Sequence, residues 1–188
     1  MADATLIPSL PLGGYSAEIG DCILKERGDL ALVSIATPIG GEEAIANSLE
    51  TLWDLDFPAP TTSTVAGEKR LLPITAAQTM LMFPATSEFD ESSVSTALSD
   101  VAYTTLQTDA WVILEISGEG TLKALERMCS LDLDTNAFPV NACARTSMEH
   151  LGVVILRTGE EQFLLLSARS SAKSFLHAVE TSCRWTAP

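Results

Sequence analysis

Four cysteines and two histidines are the residues of this chain best suited to nucleophilic or metal chemistry: Cys22, Cys129, Cys143, Cys183, His150 and His177. No two of the cysteines form a C-x-x-C pair, and Cys129 and Cys143 stand fourteen positions apart. Structural zinc takes paired ligands at short spacing, so this set does not spell a zinc site. The thiols read as free and as small apolar side chains. A Gly-x-Ser-x-Gly elbow for an activated serine is missing. His150 stands at a hairpin entry before Leu151 and Gly152, and His177 lies in a helical run beside Phe175 and Leu176. Both read as surface or interface histidines rather than general bases.

Two motifs approach a known chemistry and stop short. SGEGTLKAL (117–125) follows an apolar run and opens a helical one, as a dinucleotide-binding turn does. Gly118 and Gly120 fit the first two glycines of G-x-G-x-x-G, but Lys123 takes the third place, where glycine permits close helix–strand packing. A tight strand-to-helix turn is the expectation. DLDTN (132–136) begins like a calcium loop with Asp132, Asp134 and Asn136. The required turn glycine is Ala137, however, and the closing glutamate is Cys143. Asp132 is expected to end a helical region and hydrogen-bond its own loop.

The elements that must position these residues follow from the apolar pattern. LALVSI (30–35) is a short apolar run and reads as a buried strand. A helix is predicted over 42–53, with Ile45, Leu49, Leu52 and Trp53 on one face and Glu42 and Glu43 in its first turn. FPAPTTST (57–64) reads as a loop. RLLPI (70–74) and TMLMF (79–83) read as paired strands, Pro73 making the first an edge strand or breaking it. ATSEFDESS is a polar linker with helix-starting residues, and 92–106 places Val94, Leu98 and Val101 on one helical face.

The second half repeats that order. WVILEIS (111–117) is a strand with Val112, Leu114 and Ile116 on one side, and 121–129 is a helix on Leu122, Leu125 and Cys129. DTNAFPVNA is loop, CARTS and VVILRT read as strand or strand entry, EEQFLLLSA (160–168) is a hairpin arm, and 170–183 is an amphipathic helix. Element starts at 30, 42 and 91 recur at 111, 121 and 170, separations of 81, 79 and 79 residues. The fold class expected is α+β, in two pseudo-repeated β-α-β-β-α halves, each with a sheet covered by helices on one face. The boundaries are an N-terminal arm 1–29 without a core of its own, a first half 30–110 and a second half 111–188, forming one compact unit.

Composition bounds the partners. The chain has 188 residues, 46% apolar and 19% charged, a globular balance that excludes a disordered chain. Eleven bases against 25 acids leave a net charge of −14. Phosphate contacts need a clustered basic face, so nucleic acid is a poor partner, and anionic lipid is disfavoured for the same reason. Residues 1–60 carry ten acids and two bases, whereas 111–188 carry nine and seven. That acidic part reads as solvated surface, or more sharply as steering toward a basic partner. No apolar run reaches the ~18 residues of a membrane span, and the N-terminus lacks the basic and apolar regions of a signal peptide. A cytoplasmic location is the expectation. A mean hydropathy of +0.22 suggests an apolar patch that a lone monomer leaves exposed.

Across residues 129–179 the chain resembles the gamma subunit family of heterotetrameric sarcosine oxidase. Cys129, Leu131, Asp132 and Leu133 match that family's Cys-x-Leu-Asp-Leu block, Phe138 and Pro139 its Phe-Pro, and Arg145 and Thr146 its following pair. Phe163, Arg169 and Ser170 fill the places before the last helix. The first half matches in outline; ITAAQTMLM (74–82) lacks the tryptophan and the acid of the family's first hairpin.

The resemblance implies a fold similar to the folate-binding modules of the glycine-cleavage T-protein type. It also implies alpha, beta and delta partner subunits in a complex that oxidises sarcosine to glycine, forms hydrogen peroxide and passes the methyl carbon to tetrahydrofolate. The alpha subunit is associated with NAD and tetrahydrofolate, the beta subunit with the flavins FAD and FMN, and the delta subunit with zinc. The gamma chain carries no cofactor and no catalytic residue that the motif can assign. Phe138-Pro139 could anchor in a partner pocket or pack on its own sheet. Arg145 and Arg169 could pair with partner carboxylates or with internal acids such as Asp132 or Asp134. Together with Thr146 and Ser170, these are the interface candidates. Two other readings stand beside this one: a folate-binding aminomethyl carrier or transferase, and a homodimer that hides the same patch.

Overall fold

The computed structural model describes residues 9–86 and 89–187. Its strands, in chain order, are β1 (Ser16–Ile19), β2 (Cys22–Glu26), β3 (Leu30–Ala36), β4 (Thr64–Ala66), β5 (Lys69–Thr75), β6 (Gln78–Pro84), β7 (Tyr103–Leu106), β8 (Trp111–Ser117), β9 (Cys143–Met148), β10 (Leu151–Gly159) and β11 (Gln162–Ala168). The helices are α1 (Glu42–Trp53), α2 (Glu91–Ala97), α3 (Thr121–Glu126) and α4 (Ala172–Thr186). The strands form two sheets, a five-stranded one ordered β4-β5-β6-β3-β7 and a six-stranded one ordered β1-β2-β8-β11-β10-β9.

The alternation of side chains along each strand explains the layers. In the first sheet Val33, Ile35, Leu81 and Phe83 face α1 and α2, meeting Ile45, Leu49 and Val94. In the second sheet Leu114, Ile116, Ile155 and Phe163 face α3 and α4, meeting Leu125, Phe175 and Val179. The intervening residues pack sheet against sheet: Leu32, Leu72, Met80 and Met82 against Ile113, Val154, Leu156, Leu164 and Leu166. The result is four layers, helices, sheet, sheet, helices. Strands buried on both faces need apolar residues at nearly every position, which is why LALVSI, TMLMF, VVIL and FLLL are almost wholly apolar, with Ser34 and Thr79 as the buried polar exceptions. Much of the mean hydropathy is thus spent between the sheets, and the exposed apolar residues that remain are dispersed over separate elements. Ile39, Tyr103 and Trp185 are the most exposed of these.

The repeat is clearer in space than in sequence. β3, β6, β5 and β4 of the first sheet stand in the same order as β8, β11, β10 and β9 of the second. In each sheet a further strand lies beside the first one, and with the repeat boundary set between α2 and β7, at 98/99 instead of 110/111, that strand comes from the other half. β2, which directly precedes β3, pairs with β8; β7, which directly precedes β8, pairs with β3. β2 starts at 22 and β7 at 103, a separation of 81 residues. The two halves therefore exchange strands reciprocally.

Besides the helix expected over 121–129, which stops at Glu126 and leaves Cys129 bridged to Met148, three local expectations change. The segment expected as an arm forms the β1–β2 hairpin in its described part, and Cys22 and Leu24 are fully buried in the core; residues 1–8 lie outside the described residues. Glu26, buried on the same strand, ties the chain before the hairpin by accepting from the backbone N–H groups of Leu12 (2.9 Å), Gly14 (2.7 Å) and Tyr15 (3.3 Å). The helix expected over 92–106 ends at Ala97, and its last residues are β7 instead. Its start is as expected: Asp90 caps the Ser93 N–H at 2.8 Å and the Ser93 hydroxyl answers the Asp90 N–H at 3.1 Å, a capping box. The third change is the additional short strand β4, formed where the loop over 57–64 was expected to end. It pairs only with Lys69–Leu71 of β5, leaving Pro73 on an uncovered edge, where its missing N–H costs nothing.

Candidate functional site

Arg157 organises the loop that carries most of the family-like residues. It is 1% exposed at the end of a buried strand. Its guanidinium donates to the carbonyls of Leu133 (3.0 Å), Phe138 (2.8 Å), Gly159 (3.1 Å) and Glu160. The same group lies 5.1 Å above the Phe163 ring, which Phe138 stacks against at 6.5 Å. Five N–H donors in a rigid fork satisfy carbonyls of a turning backbone as no other side chain can. Phe138 is consequently buried in the chain's own core. That removes it as a surface anchor; Pro139 and Val140 beside it are exposed.

The aspartates of the same loop serve it locally. Asp132 accepts from the Asp134 N–H at 3.0 Å, and Asp134 accepts from the Asn136 backbone at 2.9 Å and side chain at 2.8 Å. These hydrogen bonds hold the Asp134 carboxyl below its ordinary range. No group of three or more His, Cys, Asp or Glu among the described residues is placed to hold a metal ion. The glycine turn 118–120 is equally committed. Gly118 has φ +106°, and a Cβ there would stand 2.3 Å from the Asp21 carbonyl oxygen, which accepts from the Gly120 N–H at 3.1 Å. The β1–β2 turn fills the place a phosphate takes in a dinucleotide site.

The remaining candidates do not converge. Arg145 and Thr146 lie on β9, with Arg145 exposed and without an ion pair among the described residues. Arg169 binds neither Asp132 nor Asp134; it reaches Asp109 at 3.4 Å and the Ser9 carbonyl at 2.6 Å, fastening the N-terminal segment over the start of β8. Ser170, next to it, is exposed. The two arginines line different clefts. Arg169 borders one of about 320 Å3 with Leu10, Arg27 and Trp111. Arg145 borders one of about 490 Å3 at the junction of the halves, walled by Phe57, Pro58, Pro73, Ile74 and Cys143.

All four cysteines are buried and unpaired as disulfides. Burial pushes the thiols of Cys143 and Cys183 up to about 12, so both are protonated at neutral pH and inert as nucleophiles. His150 occupies a tight turn with φ +68°, and His177 lies exposed on α4. Neither imidazole has a hydrogen-bonding side-chain partner among the described residues. Sequence reasoning missed Arg157, Glu26 and the ion pairs of Arg27 with Asp29 (2.7 Å) and Glu115 (2.5 Å). The one available signal was a basic residue closing the apolar run VVIL.

Residues 39–184 match the family described as sarcosine oxidase, gamma subunit family. A 65-residue stretch is 32% identical to the sarcosine oxidase subunit gamma of Corynebacterium sp. (strain P-1). That match spans 35% of this chain and 32% of the relative, so about a third of the relative's length is matched. The fold superposes on a chain of the heterotetrameric sarcosine oxidase from Corynebacterium sp. U-96, solved with pyrrole 2-carboxylate. The TM-score is 0.79 at 18% identity, over 92% of this chain and 88% of that one. It also superposes on the glycine cleavage system aminomethyltransferase T from Bartonella henselae, with a TM-score of 0.67 at 12% identity over 92% of this chain and 56% of that one. At these identities the structures establish a shared fold, and the α+β architecture akin to the T-protein type is the one expected. The family resemblance read from residues 129–179 holds over most of the chain, and this chain belongs to the sarcosine oxidase gamma subunit family.

Proposed function

We propose that this chain is the gamma-type subunit of a sarcosine oxidase-like heterotetramer and acts by assembly. The observation that carries the reading is the family match over residues 39–184. The candidate side chains support it in kind. Asp132, Asp134 and Arg157 are consumed in holding their own loop, and the four thiols are buried. In this reading the oxidation of the N-methyl amine takes place in larger chains, with NAD, tetrahydrofolate and flavins bound to alpha and beta subunits and zinc to a delta subunit. The gamma chain supplies surface to them.

The folate-carrier reading fares worse on one observation. A pterin ring is held by a carboxylate that matches its donor edge, and among the described residues no Asp or Glu lines the junction cleft. The test is co-expression of the tagged chain with alpha and beta chains of the sarcosine oxidase type. The expected result is a stoichiometric complex that turns over sarcosine, with the isolated chain inactive. Saturable tetrahydrofolate binding by the isolated chain, or failure to join any such complex, overturns the reading.

A further inference from the structure

The junction cleft is bounded by two strand edges that are only partly paired. On β5, pairing with β4 stops at Leu71, so the outer edge from Leu72 to Thr75 is bare. On β9, β10 pairs along one edge, and the other edge is bridged at both ends, by Thr62 at Ala142 and by Cys129 at Met148, which leaves the stretch around Arg145 between them. At the other edge the Cys143 N–H donates to the Thr61 carbonyl at 2.9 Å. Backbone groups repeat their direction every second residue along a strand, so Arg145 turns its N–H and C=O to the same side, beyond the reach of Thr61. Its guanidinium, exposed at the cleft, makes no ion pair among the described residues of a chain with net charge −14. The Thr79 hydroxyl, on the cleft lining and buried with its residue at 1% exposure, has no hydrogen-bond partner among the described residues. The walls are apolar and stiffened by Pro58, Pro60 and Pro73.

These features describe a receptor for extended backbone more than for a small molecule. Small-ligand sites converge several polar groups on one point; here the polar groups are spread along an edge. An unpaired edge is a template for an added strand, whose main chain gives affinity while its alternate side chains fill pockets. The unpaired guanidinium selects a carboxylate on that strand.

We propose that the cleft between β5 and β9 receives an extended segment of a larger partner subunit, which adds to the β9 edge at Arg145. The segment carries an acidic residue for Arg145 and an apolar neighbour against Phe57, Pro73 and Ile74. This rests on the subunit reading above.

The test places a photoreactive p-benzoylphenylalanine at Ala76, an exposed residue on the cleft rim, in the chain co-expressed with its alpha and beta partners. A second label at Lys173, exposed on α4, is the control. The expected result is an adduct from position 76 to one Asp- or Glu-containing segment of a larger chain. Arg145→Glu is expected to lower that adduct about tenfold, as the loss of a close charge pair does, and to leave circular dichroism and the Lys173 label pattern unchanged. A complex that assembles without an adduct at 76 overturns the proposal and leaves the subunit reading standing. So does an adduct to an acid-free segment, to a second copy of this chain, or one indifferent to Arg145→Glu. Absence of any complex removes both.

Discussion

The guanidinium of Arg157 donates to the Phe138 carbonyl at 2.8 Å while the Phe138 ring stacks on Phe163, the ring over which that same guanidinium lies. One buried cation thus fixes both the backbone and the side chain of the Phe-Pro loop. Its four acceptors are all carbonyls, and it forms no ion pair among the described residues, so its charge is balanced by oriented dipoles alone.

Replacing Arg157 by methionine keeps most of the apolar volume and strips the loop carbonyls of their donor. Buried acceptors left unpaired cost about 1–3 kcal/mol each. Two of those bonds, to Leu133 and Phe138, are fully buried. A loss of about 3 kcal/mol is therefore expected for Arg157→Met, read as a lower urea midpoint at unchanged m-value. Arg157→Lys should recover less than half of it, because an ammonium lacks the fork that reaches carbonyls on two sides. A lysine variant as stable as the parent contradicts this account.

At Gly118 the backbone itself is the constraint. Its φ of +106° suits only glycine, and a Cβ would press within 2.3 Å of the Asp21 oxygen. Gly118→Ala is expected to cost about 3 kcal/mol from strain and overpacking together. Gly152, which has open space around its would-be Cβ and no positive φ, is the internal control. Gly152→Ala should be neutral within about 0.5 kcal/mol or mildly stabilising by thermal denaturation.

Alkaline conditions should weaken the fold through its thiols. Cys143 and Cys183 are raised by burial from 9.0 to about 12 in the folded chain. A group whose folded pKa lies above its unfolded one keeps its proton longer when folded. The stability it adds is whole below about pH 9 and is lost as pH climbs toward 12. Tyr15, raised to about 12 first by burial and then by its hydrogen bond to Glu180, titrates in the same direction. The urea midpoint is expected to fall between pH 8 and pH 10.5, and the fall should shrink in Cys143→Ala. In the native chain at pH 8 a thiol reagent should find none of the four cysteines reactive; rapid labelling of Cys143 refutes the burial argument.

How far the sequence reveals this molecule depends on the range of each interaction. The runs LALVSI and VVIL announced strands because burial acts residue by residue, while the second sheet that covers their other face was not legible in them. Val112, Leu114 and Ile116 marked the helix-facing side of β8 for the same reason. β7 escaped because Val94, Leu98 and Val101 continue a helical spacing through the point where α2 stops, although Tyr103, Thr104 and Thr105 are strand formers. β2 escaped because nearby prolines and glycines dominate its surroundings, while its alternation, Cys22 and Leu24 inward with Ile23 outward, is plain once its partner β8 is known. Arg157 could not be recognised as buried, since its acceptors at Leu133 and Phe138 lie 24 and 19 residues away. Of the two candidate arginines, Arg145 has no ion pair among the described residues, and its strand β9 stands at an edge of its sheet.

The exchange of β2 and β7 makes the two halves interdependent. Without residues 9–98 the second sheet loses β1 and β2, which cover β8 and contribute Cys22 and Leu24 to its core. Without residues 99–187 the first sheet loses β7 from beside β3 and exposes Leu32, Leu72, Met80 and Met82, which the second sheet covers. Neither fragment can bury both faces of its sheet, and exposed two-faced strands aggregate rather than fold. The intact chain is expected to unfold in one cooperative transition by calorimetry and by circular dichroism, with coincident midpoints. Each fragment expressed alone should show no cooperative melt, and co-expression of the two should restore a soluble pair with the parent's spectrum. A cooperative transition in either isolated fragment would mean that the exchanged strand is an ornament on a self-sufficient half, and the reciprocal pairing would lose its place as the device that joins them.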